Sequence, residues 1–284
     1  MAVLNSIVNG EIGTKISIQD RGFNYGDGLF ETMLLVNHQP VFWDEHYQRL
    51  IKGCKVLGIR CPSGESLKED IEKLWHLTPD VNVAVIKIIV TRGDSKRGYQ
   101  YPDNIASNVV IFLSTYPGYP VSYWNEGVKV KICETLLSSH TQLAGLKHLN
   151  RLEQVIARNE WQDDYQEGLM ADISGNIVEG VMSNIFIVKD NLVRTPLIIN
   201  AGVNGIMRNI ILKICEANGI MALEDDISLK QLLAADEVFL TNSIIGVWPV
   251  KQINNRLYTT GLATKNIMKL LTKQYSVDYA AVSV

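Results

Sequence analysis

This 284-residue chain has two long apolar stretches in its first half, and a short run rich in proline and glycine follows the second of them. Residues Val83 to Thr91 and Val109 to Thr115 are rich in β-branched side chains, which predicts two buried strands. Directly after them, the run Tyr116-Pro117-Gly118-Tyr119-Pro120 interrupts regular structure. We therefore expect a small N-terminal domain over residues 1–115, a linker over 116–122 and a larger domain over 123–284. A chain of this length can form two modest domains that each bury a core.

Turn and helix signals indicate a sheet-rich N-terminal part. Asn9-Gly10 and Asn37-His38 lie between apolar segments, as hairpin turns do, and an Asn-Gly pair is typical of a type I′ turn. Apolar residues at helical spacing follow Asp44 as far as Leu57, so we expect a helix that Asp44 caps.

Beyond the linker, alternating side chains predict a strand over Val128–Ile132 and a meander over Met170–Val193. Helical spacing predicts four helices, over Asn150–Trp161, Ile206–Ala217, Leu229–Ala234 and Ala263–Thr272.

Charge and cysteine spacing exclude several classes of partner. The net charge is −3, the isoelectric point is near 6.0, and the chain has no block of Lys or Arg. Nucleic acid and anionic membranes are therefore poor partners, and a small-molecule substrate is expected. The cysteines Cys54, Cys61, Cys133 and Cys215 lack the spacing of a zinc site or a disulfide framework, so we expect no metal. The N-terminus lacks a signal-peptide pattern, so we expect a cytoplasmic protein.

Two ionisable residues beyond the linker together indicate a site for an aldehyde cofactor with a pyridine ring. Lys147 begins the run Lys147-His148-Leu149-Asn150-Arg151, and a lysine amine can hold an aldehyde cofactor as a Schiff base and then move protons. Glu179 lies in a polar, glycine-bearing break between predicted strands, where a carboxylate can bind a pyridine nitrogen. Taken singly, a solvated lysine and a turn glutamate facing water are the commoner explanations.

A possible anion site precedes the helix predicted from Ile206. In Gly202-Val203-Asn204-Gly205 the glycines allow close approach of an anion, and the backbone N–H groups of Ile206 and Met207 are free donors in the first helical turn. A phosphate group fits this arrangement, although an ordinary loop-to-helix junction has the same pattern.

These residues together resemble the fold type IV pyridoxal phosphate enzymes, the family of the branched-chain and D-amino acid aminotransferases. The likeness extends over nearly the whole chain and includes residues 20–32 and 46–50. It implies an α+β fold with a small N-terminal α/β domain, a larger C-terminal domain with a barrel-like β-sheet flanked by helices, and a homodimer whose sites lie near the domain boundary and the subunit interface.

The resemblance also implies pyridoxal 5′-phosphate as cofactor. Lys147 would be the catalytic residue that binds it, and Glu179 would bind its ring nitrogen. The remaining cofactor contacts, mostly to the phosphate, would be Arg49, Gly205, Ile206, Met207 and Thr241. His46 stands one helical turn before Arg49, and both fall off the apolar stripe of their predicted helix, where a packed or solvated histidine is commoner than a catalyst.

Within this family, residues 143–154, 201–208 and 235–242 resemble the aminodeoxychorismate lyases, which implies conversion of 4-amino-4-deoxychorismate to 4-aminobenzoate and pyruvate in folate biosynthesis. Arg97 could bind a substrate carboxylate with two hydrogen bonds, although a solvated loop arginine explains it equally well. The other substrate contacts implied are Phe30, Tyr99 and Asn242.

Two other functions stay open. A D-amino acid or branched-chain aminotransferase would use the same lysine and glutamate. Phe30 disfavours it, because D-amino acid transaminases often have a tyrosine there to bind carboxylate, and a phenyl ring cannot donate that hydrogen bond. Tyr99 also stands where they typically have histidine. The third possibility is a catalytically silent relative that keeps the fold as a binding or scaffold protein.

Overall fold

The computed structural model describes residues 2–78, 81–162 and 164–283, and the chain divides into two compact units. The first unit contains the residues up to Pro117 together with the short segment Leu146–Asn150. The second contains Gly118–Gly145 and the residues from Arg151 onward. The domain boundaries expected from the sequence stay a prediction.

Backbone pairing explains why the segment Leu146–Asn150 belongs to the first unit. The Phe30 N–H donates to the Lys147 carbonyl oxygen over 2.9 Å, and the Leu149 N–H donates to the Gly28 carbonyl oxygen over 3.0 Å. Lys147 is therefore held along a strand of the first unit, whereas the expected boundaries put it in the larger domain. Pairing between residues more than a hundred positions apart is not visible in local sequence patterns.

The first unit is a six-stranded antiparallel sheet with helices, in the strand order β2-β1-β6-β5-β3-β4. Helix α2 packs on β3, and α3 packs on β1 and β6. Its elements are β1 Val3–Val8, β2 Glu11–Ile12, α1 Arg21–Tyr25, β3 Gly28–Val36, β4 Gln39–Pro40, α2 Trp43–Leu57, α3 Gly64–His76, β5 Val83–Thr91 and β6 Asn108–Thr115.

Most local signals in this unit predict the observed elements. The predicted strands match β5 and β6, the latter longer by one residue. Both hairpin turns have two successive residues with positive φ, as type I′ turns require, at Asn9-Gly10 and Asn37-His38.

The expected cap of α2 is wrong. The N-cap is Phe42, in the left-handed conformation and without a side-chain hydrogen bond, and Asp44 lies in the first turn. An acidic side chain there still interacts favourably with the positive end of the helix dipole. Helix α3, which the sequence patterns do not assign, is capped by the Ser63 side chain.

The second unit is built on a ten-stranded mixed sheet, in the order β12-β11-β10-β14-β15-β7-β8-β9-β13, with β16 paired to β15. Its elements are α4 Ser122–Asn125, β7 Val128–Ile132, α5 Leu152–Arg158, β8 Glu167–Ala171, β9 Asn176–Gly180, β10 Asn184–Lys189, β11 Leu192–Pro196, α6 Ile206–Ala217, β12 Ala222–Asp225, β13 Ile227–Ser228, α7 Leu229–Ala234, β14 Glu237–Asn242, β15 Gly246–Ile253, β16 Arg256–Leu257, α8 Leu262–Tyr275 and a 3₁₀ turn Ala281–Ser283.

Helices α6 and α7 have the predicted bounds, and α8 is longer than expected. Helix α5 is shorter than the predicted Asn150–Trp161. Asn150 belongs to the first unit, where its side-chain amide donates to the Gly26 carbonyl oxygen over 3.1 Å, so the helix begins only at Leu152. In the part of the chain that the structure describes, no helix is long and apolar enough to cross a membrane.

Candidate active site

Lys147 and Phe30 are neighbours in the first unit. Phe30 lies on β3, and its N–H donates to the Lys147 carbonyl oxygen, so the lysine runs alongside the strand. The Lys147 Nζ lies 4.3 Å from the centroid of the Phe30 ring. This distance is within the range of a cation–π interaction, which fixes the amine over the ring face. The structure therefore brings these two predicted site residues together.

Lys87 contacts the same Phe30 ring, and the sequence does not mark it as a site residue. Its Nζ lies 4.9 Å from the Phe30 centroid, and in the antiparallel register Lys87 is opposite Thr32, two residues along β3 from Phe30. Burial lowers the pKa of Lys87. Its signal in the sequence is a single charged residue inside an otherwise apolar strand. Burying a charge costs free energy, so a residue of this kind often belongs to a functional site.

Arg49 lies on α2 and binds a buried carboxylate. Its Nε donates to Glu31 Oε1 over 2.8 Å and its Nη2 to Glu31 Oε2 over 2.6 Å. The His46 Nδ1 is 2.6 Å from the same Oε2. The sequence left open whether His46 is packed or solvated. It is fully buried, and thus packed, although it falls off the apolar stripe of α2. The reason is that its polar partner, Glu31, comes from a different element, β3.

Burial and the hydrogen bonds between these side chains decide which of Glu31 and His46 is charged. Burial by itself raises the pKa of Glu31, but the charge and hydrogen bonds of Arg49 and the hydrogen bond of His46 outweigh it and lower the pKa to about 2. Burial also lowers the pKa of His46, more than its contact with Glu31 raises it. His46 is therefore neutral near pH 7 and donates its Nδ1–H to an ionised Glu31.

Arg97 and Tyr99 lie on a segment that we call the basic loop, residues 94–102. Together with Gln19 this loop lines an open surface pocket of about 840 Å³, a size that accepts a small molecule. Both side chains are exposed, Tyr99 at 86%. The Tyr99 ring packs at a tilt against Tyr25, with 5.6 Å between centroids. These positions suit contact with a ligand, and the substrate role of both residues stays a prediction.

Glu179 lies on β9 in the second unit and is 4% exposed. Its Oε2 accepts a hydrogen bond of 2.7 Å from the Val203 N–H. Gly202, just before Val203, has a φ of +87°, and a Cβ there would lie 2.8 Å from Val178 Cγ1 and 3.3 Å from Glu179 Oε2. A glycine is required on both counts. The predicted carboxylate and the predicted glycine segment are thus in direct contact.

The N-terminus of α6 has the features of an anion site. Gly205 is the N-cap, and it provides no side chain to the free N–H groups of the first turn, which includes Ile206 and Met207. A Cβ on Gly205 would lie 1.9 Å from Asn184 Oδ1, while the Asn184 amide donates to the Val203 carbonyl oxygen over 3.0 Å. Asn184 therefore fixes the glycine segment against β10, and only glycine fits there.

Thr241 and Asn242 end β14 and already hold local contacts. The buried Thr241 hydroxyl donates to the Gly246 carbonyl oxygen over 2.7 Å. The Asn242 Oδ1 accepts from Ile244 N and Ile245 N, and its amide donates to the Met182 carbonyl oxygen over 3.0 Å. Both residues thus organise the turn between β14 and β15, and their cofactor and substrate roles stay predictions.

Glu167, on β8, is a second buried carboxylate that the sequence did not reveal. It accepts from the Ser183 hydroxyl over 2.8 Å and from the Met182 N–H over 3.2 Å. Burial outweighs these hydrogen bonds and raises its pKa to about 6. Because Met182 and Ser183 lie in the turn between β9 and β10, Glu167 fixes the turn that follows Glu179. Glu167 is the first residue of β8 and directly follows Gln166, so its burial has no signal in the sequence.

Comparison with known proteins identifies the family of this chain. The family model described as amino-transferase class IV matches residues 28–253. An aminodeoxychorismate lyase of Vibrio harveyi is 34% identical over 87% of this chain and 90% of its own length. A D-alanine aminotransferase of Bacillus licheniformis is 29% identical over 90% of each chain.

A solved structure extends the similarity to the fold. The 4-amino-4-deoxychorismate lyase of Pseudomonas aeruginosa superposes with a TM-score of 0.90 and 38% identity, over 96% of this chain and 100% of that one. The similarity confirms the α+β fold type IV architecture expected from the sequence. With a family model that covers most of its residues, the chain belongs to the class IV aminotransferase family.

Proposed function

We propose that this protein is a pyridoxal phosphate-dependent lyase that converts 4-amino-4-deoxychorismate to 4-aminobenzoate and pyruvate. The observation that carries the proposal is the similarity, in sequence and in fold, to a solved lyase of that name along nearly the whole chain. The placement of this reaction in folate synthesis and in the cytoplasm belongs to the same proposal.

The residues of each unit fit the cofactor. Lys147 offers an amine for its aldehyde, and the buried Glu179 offers a carboxylate for its ring nitrogen. The cradle at Gly205, which a Cβ would fill, and the N-terminus of α6 offer backbone donors for its phosphate. Arg49 offers a positive charge for the same phosphate. When bound, the cofactor supplies an electron sink for the negative charge left by proton removal.

The protein's own part in the reaction is proton transfer. The Lys147 amine takes the proton from the ring carbon that bears the substrate amine. The bond from the neighbouring ring carbon to the enolpyruvyl oxygen then breaks, and the ring becomes aromatic. The departing enolpyruvate takes up a proton to give pyruvate, so the step needs no oxidant or reductant. The Phe30 ring lies against the amine on one side and offers no group that could take or give its proton.

Two cations suit the two carboxylates of the substrate. Lys87 lies beside the Phe30 ring that also contacts Lys147, and Arg97 lies on the basic loop. A guanidinium can bind one carboxylate through two parallel hydrogen bonds, whereas the Lys87 amine contributes a point charge. We assign substrate recognition to these residues and to Tyr99, with Phe30 as the apolar contact.

A direct assay separates the lyase from the aminotransferase. The purified holoenzyme is given aminodeoxychorismate, and 4-aminobenzoate and pyruvate are measured; in parallel it is given D-alanine or leucine with 2-oxoglutarate. We expect the two lyase products in equal amounts. Rapid transamination without detectable 4-aminobenzoate would replace the lyase assignment with the aminotransferase, and inactivity in both assays would favour a silent relative.

Lys147→Ala tests the catalytic assignment. Both the covalent anchor and the proton-transfer base disappear, so turnover should fall by roughly a thousandfold or more. Borohydride reduction of the holoenzyme should fix the cofactor on the wild-type protein and not on this variant, as measured by mass spectrometry. Lys73→Ala, at an exposed lysine of the same unit, is the control and should react normally. Wild-type rates in Lys147→Ala would remove the lysine from the mechanism.

A homodimer is also part of the proposal. Helix α5 exposes three apolar side chains, Leu152, Val155 and Ile156, at 71%, 54% and 53%. Such a cluster on a short helix suits a surface that a second copy covers, since soluble monomers rarely expose adjoining apolar residues.

A further inference from the structure

Most of the basic loop has no regular secondary structure, so contacts from outside the loop are needed to hold its conformation. Residues 95–102 lie in neither helix nor strand. The side chains of Arg97 and Tyr99 can be placed for a ligand only if the backbone that carries them is fixed. Fixing a loop of this kind costs conformational entropy, and side-chain hydrogen bonds have to offset it.

Arg21, the first residue of α1, supplies those hydrogen bonds. Its Nη1 donates to the Ser95 hydroxyl over 3.1 Å and to the Gly98 carbonyl oxygen over 2.8 Å, and its Nη2 donates to the Tyr99 carbonyl oxygen over 2.9 Å. Ser95 and Gly98 flank Lys96 and Arg97. One guanidinium therefore bridges the base of the turn that presents Arg97.

Tyr25, at the other end of α1, makes a second contact with the same backbone. Its hydroxyl accepts a hydrogen bond of 3.1 Å from the Gly98 N–H. Gly98 thus has its carbonyl bound by Arg21 and its N–H bound by Tyr25. The Arg21 guanidinium also lies 4.9 Å from the Tyr25 ring centroid, so the two supports stabilise each other.

Arg21 is itself held in place. It is 3% exposed, and its Nε donates to Asp27 Oδ2 over 2.8 Å. Arg92 binds both oxygens of Asp27 and lies 3.7 Å from the Tyr101 ring centroid, at the far end of the basic loop. Burial raises the pKa of Asp27, but the hydrogen bonds from Arg92 and Arg21 outweigh it, so the pKa is lowered. The support is therefore a rigid, charged network and not a single flexible side chain.

We propose that Arg21 is a positioning residue for substrate recognition, which acts by holding the basic loop in the conformation that presents Arg97 and Tyr99. This inference rests on the proposed function for the identity of the substrate. The support of the basic loop by Arg21 does not depend on that identity. Only a planar, five-donor guanidinium can reach the three loop acceptors and Asp27 at once, so lysine cannot replace it. Tyr25 is the secondary support.

Loop mobility can be measured independently of activity, because Lys96 and Arg97 are exposed trypsin sites. Holoenzymes of the wild type, Arg21→Lys and Tyr25→Phe are digested briefly, and cleavage after residues 96 and 97 is followed by mass spectrometry. We expect about tenfold faster cleavage in Arg21→Lys and a smaller increase in Tyr25→Phe, which loses one hydrogen bond. Leu74→Ala, in the core of the same unit, is the control for general destabilisation and should leave these sites as in the wild type.

Kinetics give the second readout. For aminodeoxychorismate, Arg21→Lys should raise KM by about tenfold and change kcat by less than about threefold, with an unaltered cofactor absorption band. Unchanged cleavage and unchanged KM would overturn the inference, as would faster cleavage with an unchanged KM. If the wild type makes no 4-aminobenzoate, the proposed function fails instead; the cleavage result then still stands, and KM is measured for the amino acid that reacts. Tyr25→Phe keeps the test open if Arg21→Lys does not fold.

Discussion

Glu31 is a buried carboxylate that two neighbours keep ionised. Residues alternate between the two faces of β3, so Phe30 and Glu31 point to opposite sides of the sheet. Phe30 meets Lys147 and Lys87, while Glu31 meets His46 and Arg49 of α2. A single strand thus supplies an apolar contact for the amines and an anchor for the proposed phosphate-binding arginine.

This anchor predicts a pH dependence of stability. Glu31 has a pKa of about 2 in the folded chain against an ordinary value of 4.5, so the folded state binds its proton less readily than the unfolded state. Stability from this group is present above pH 4.5 and is lost as the pH falls from 4.5 towards 2, by on the order of 3 kcal/mol. At neutral pH, Glu31→Gln should unfold more easily, because Arg49 loses its charged partner.

Urea unfolding of the wild type and Glu31→Gln between pH 7 and pH 3 checks this expectation. The difference in free energy of unfolding between the two proteins should shrink as the pH falls. Glu69→Gln, at an exposed carboxylate on α3, is the control and should show a small, constant difference. A difference between wild type and Glu31→Gln that stays constant down to pH 3 would show that Glu31 is not stabilised by these partners.

At this scale the sequence reveals residues that stand in recognisable segments. Lys147, Glu179 and the glycines could be proposed as site residues, because the runs around them carry the family pattern. Lys87, Glu167 and the burial of His46 could not, because each depends on partners from other strands and helices. A lone charged residue in an apolar run indicates that something is unusual there, but not which face it lies on.

Helix α6 combines a buried apolar face with an N-terminus that no side chain caps. Its apolar residues recur at helical spacing and bury Ile210, Ile211 and Ile214 fully. This spacing alone predicted the bounds of the helix correctly. Its N-terminus carries no side-chain cap, which leaves the N–H groups of the first turn to water or to a ligand.

Gly205→Ala tests the phosphate role of this helix end. The new Cβ would meet Asn184 Oδ1 at 1.9 Å, so Asn184 must rotate and lose its bond to the Val203 carbonyl oxygen. We expect a loss of about 1 kcal/mol in the free energy of unfolding and a roughly tenfold weaker cofactor affinity, measured by titration of the apoenzyme.

Gly13→Ala is the matched control, because a Cβ there would meet only the Glu11 carbonyl oxygen at 3.9 Å and its φ is not positive. It should keep both properties. Wild-type cofactor affinity in Gly205→Ala, despite the lower stability, would contradict phosphate binding at this helix end.

Over the whole molecule, the order of elements along the chain is more predictable than the distribution of residues between the two units. The main segment of the first unit ends at Pro117, within the run of prolines and glycine that follows β6. The return of Leu146–Asn150 to the first unit depends on pairing with β3 and has no local signature. This return decides that Lys147 is held next to Phe30.

Association of two copies is the last property that the chain predicts. The apolar cluster on α5 consists of Leu152, Val155 and Ile156, spaced so that three side chains lie within one turn or slightly more of the helix. Burial of such residues drives association, and a charge at the centre of an apolar interface is strongly unfavourable. Val155→Glu should therefore raise the dimer dissociation constant at least about tenfold.

Sedimentation velocity at micromolar concentration measures this change. Leu262→Glu is the control, because Leu262 is 84% exposed at the start of α8 and outside the cluster, so the charge there should leave the dimer intact. A wild type that sediments as a monomer would refute the homodimer. If both variants sediment as the wild-type dimer does, the interface lies elsewhere, because a buried glutamate in the contact surface could not be accommodated without weakening it.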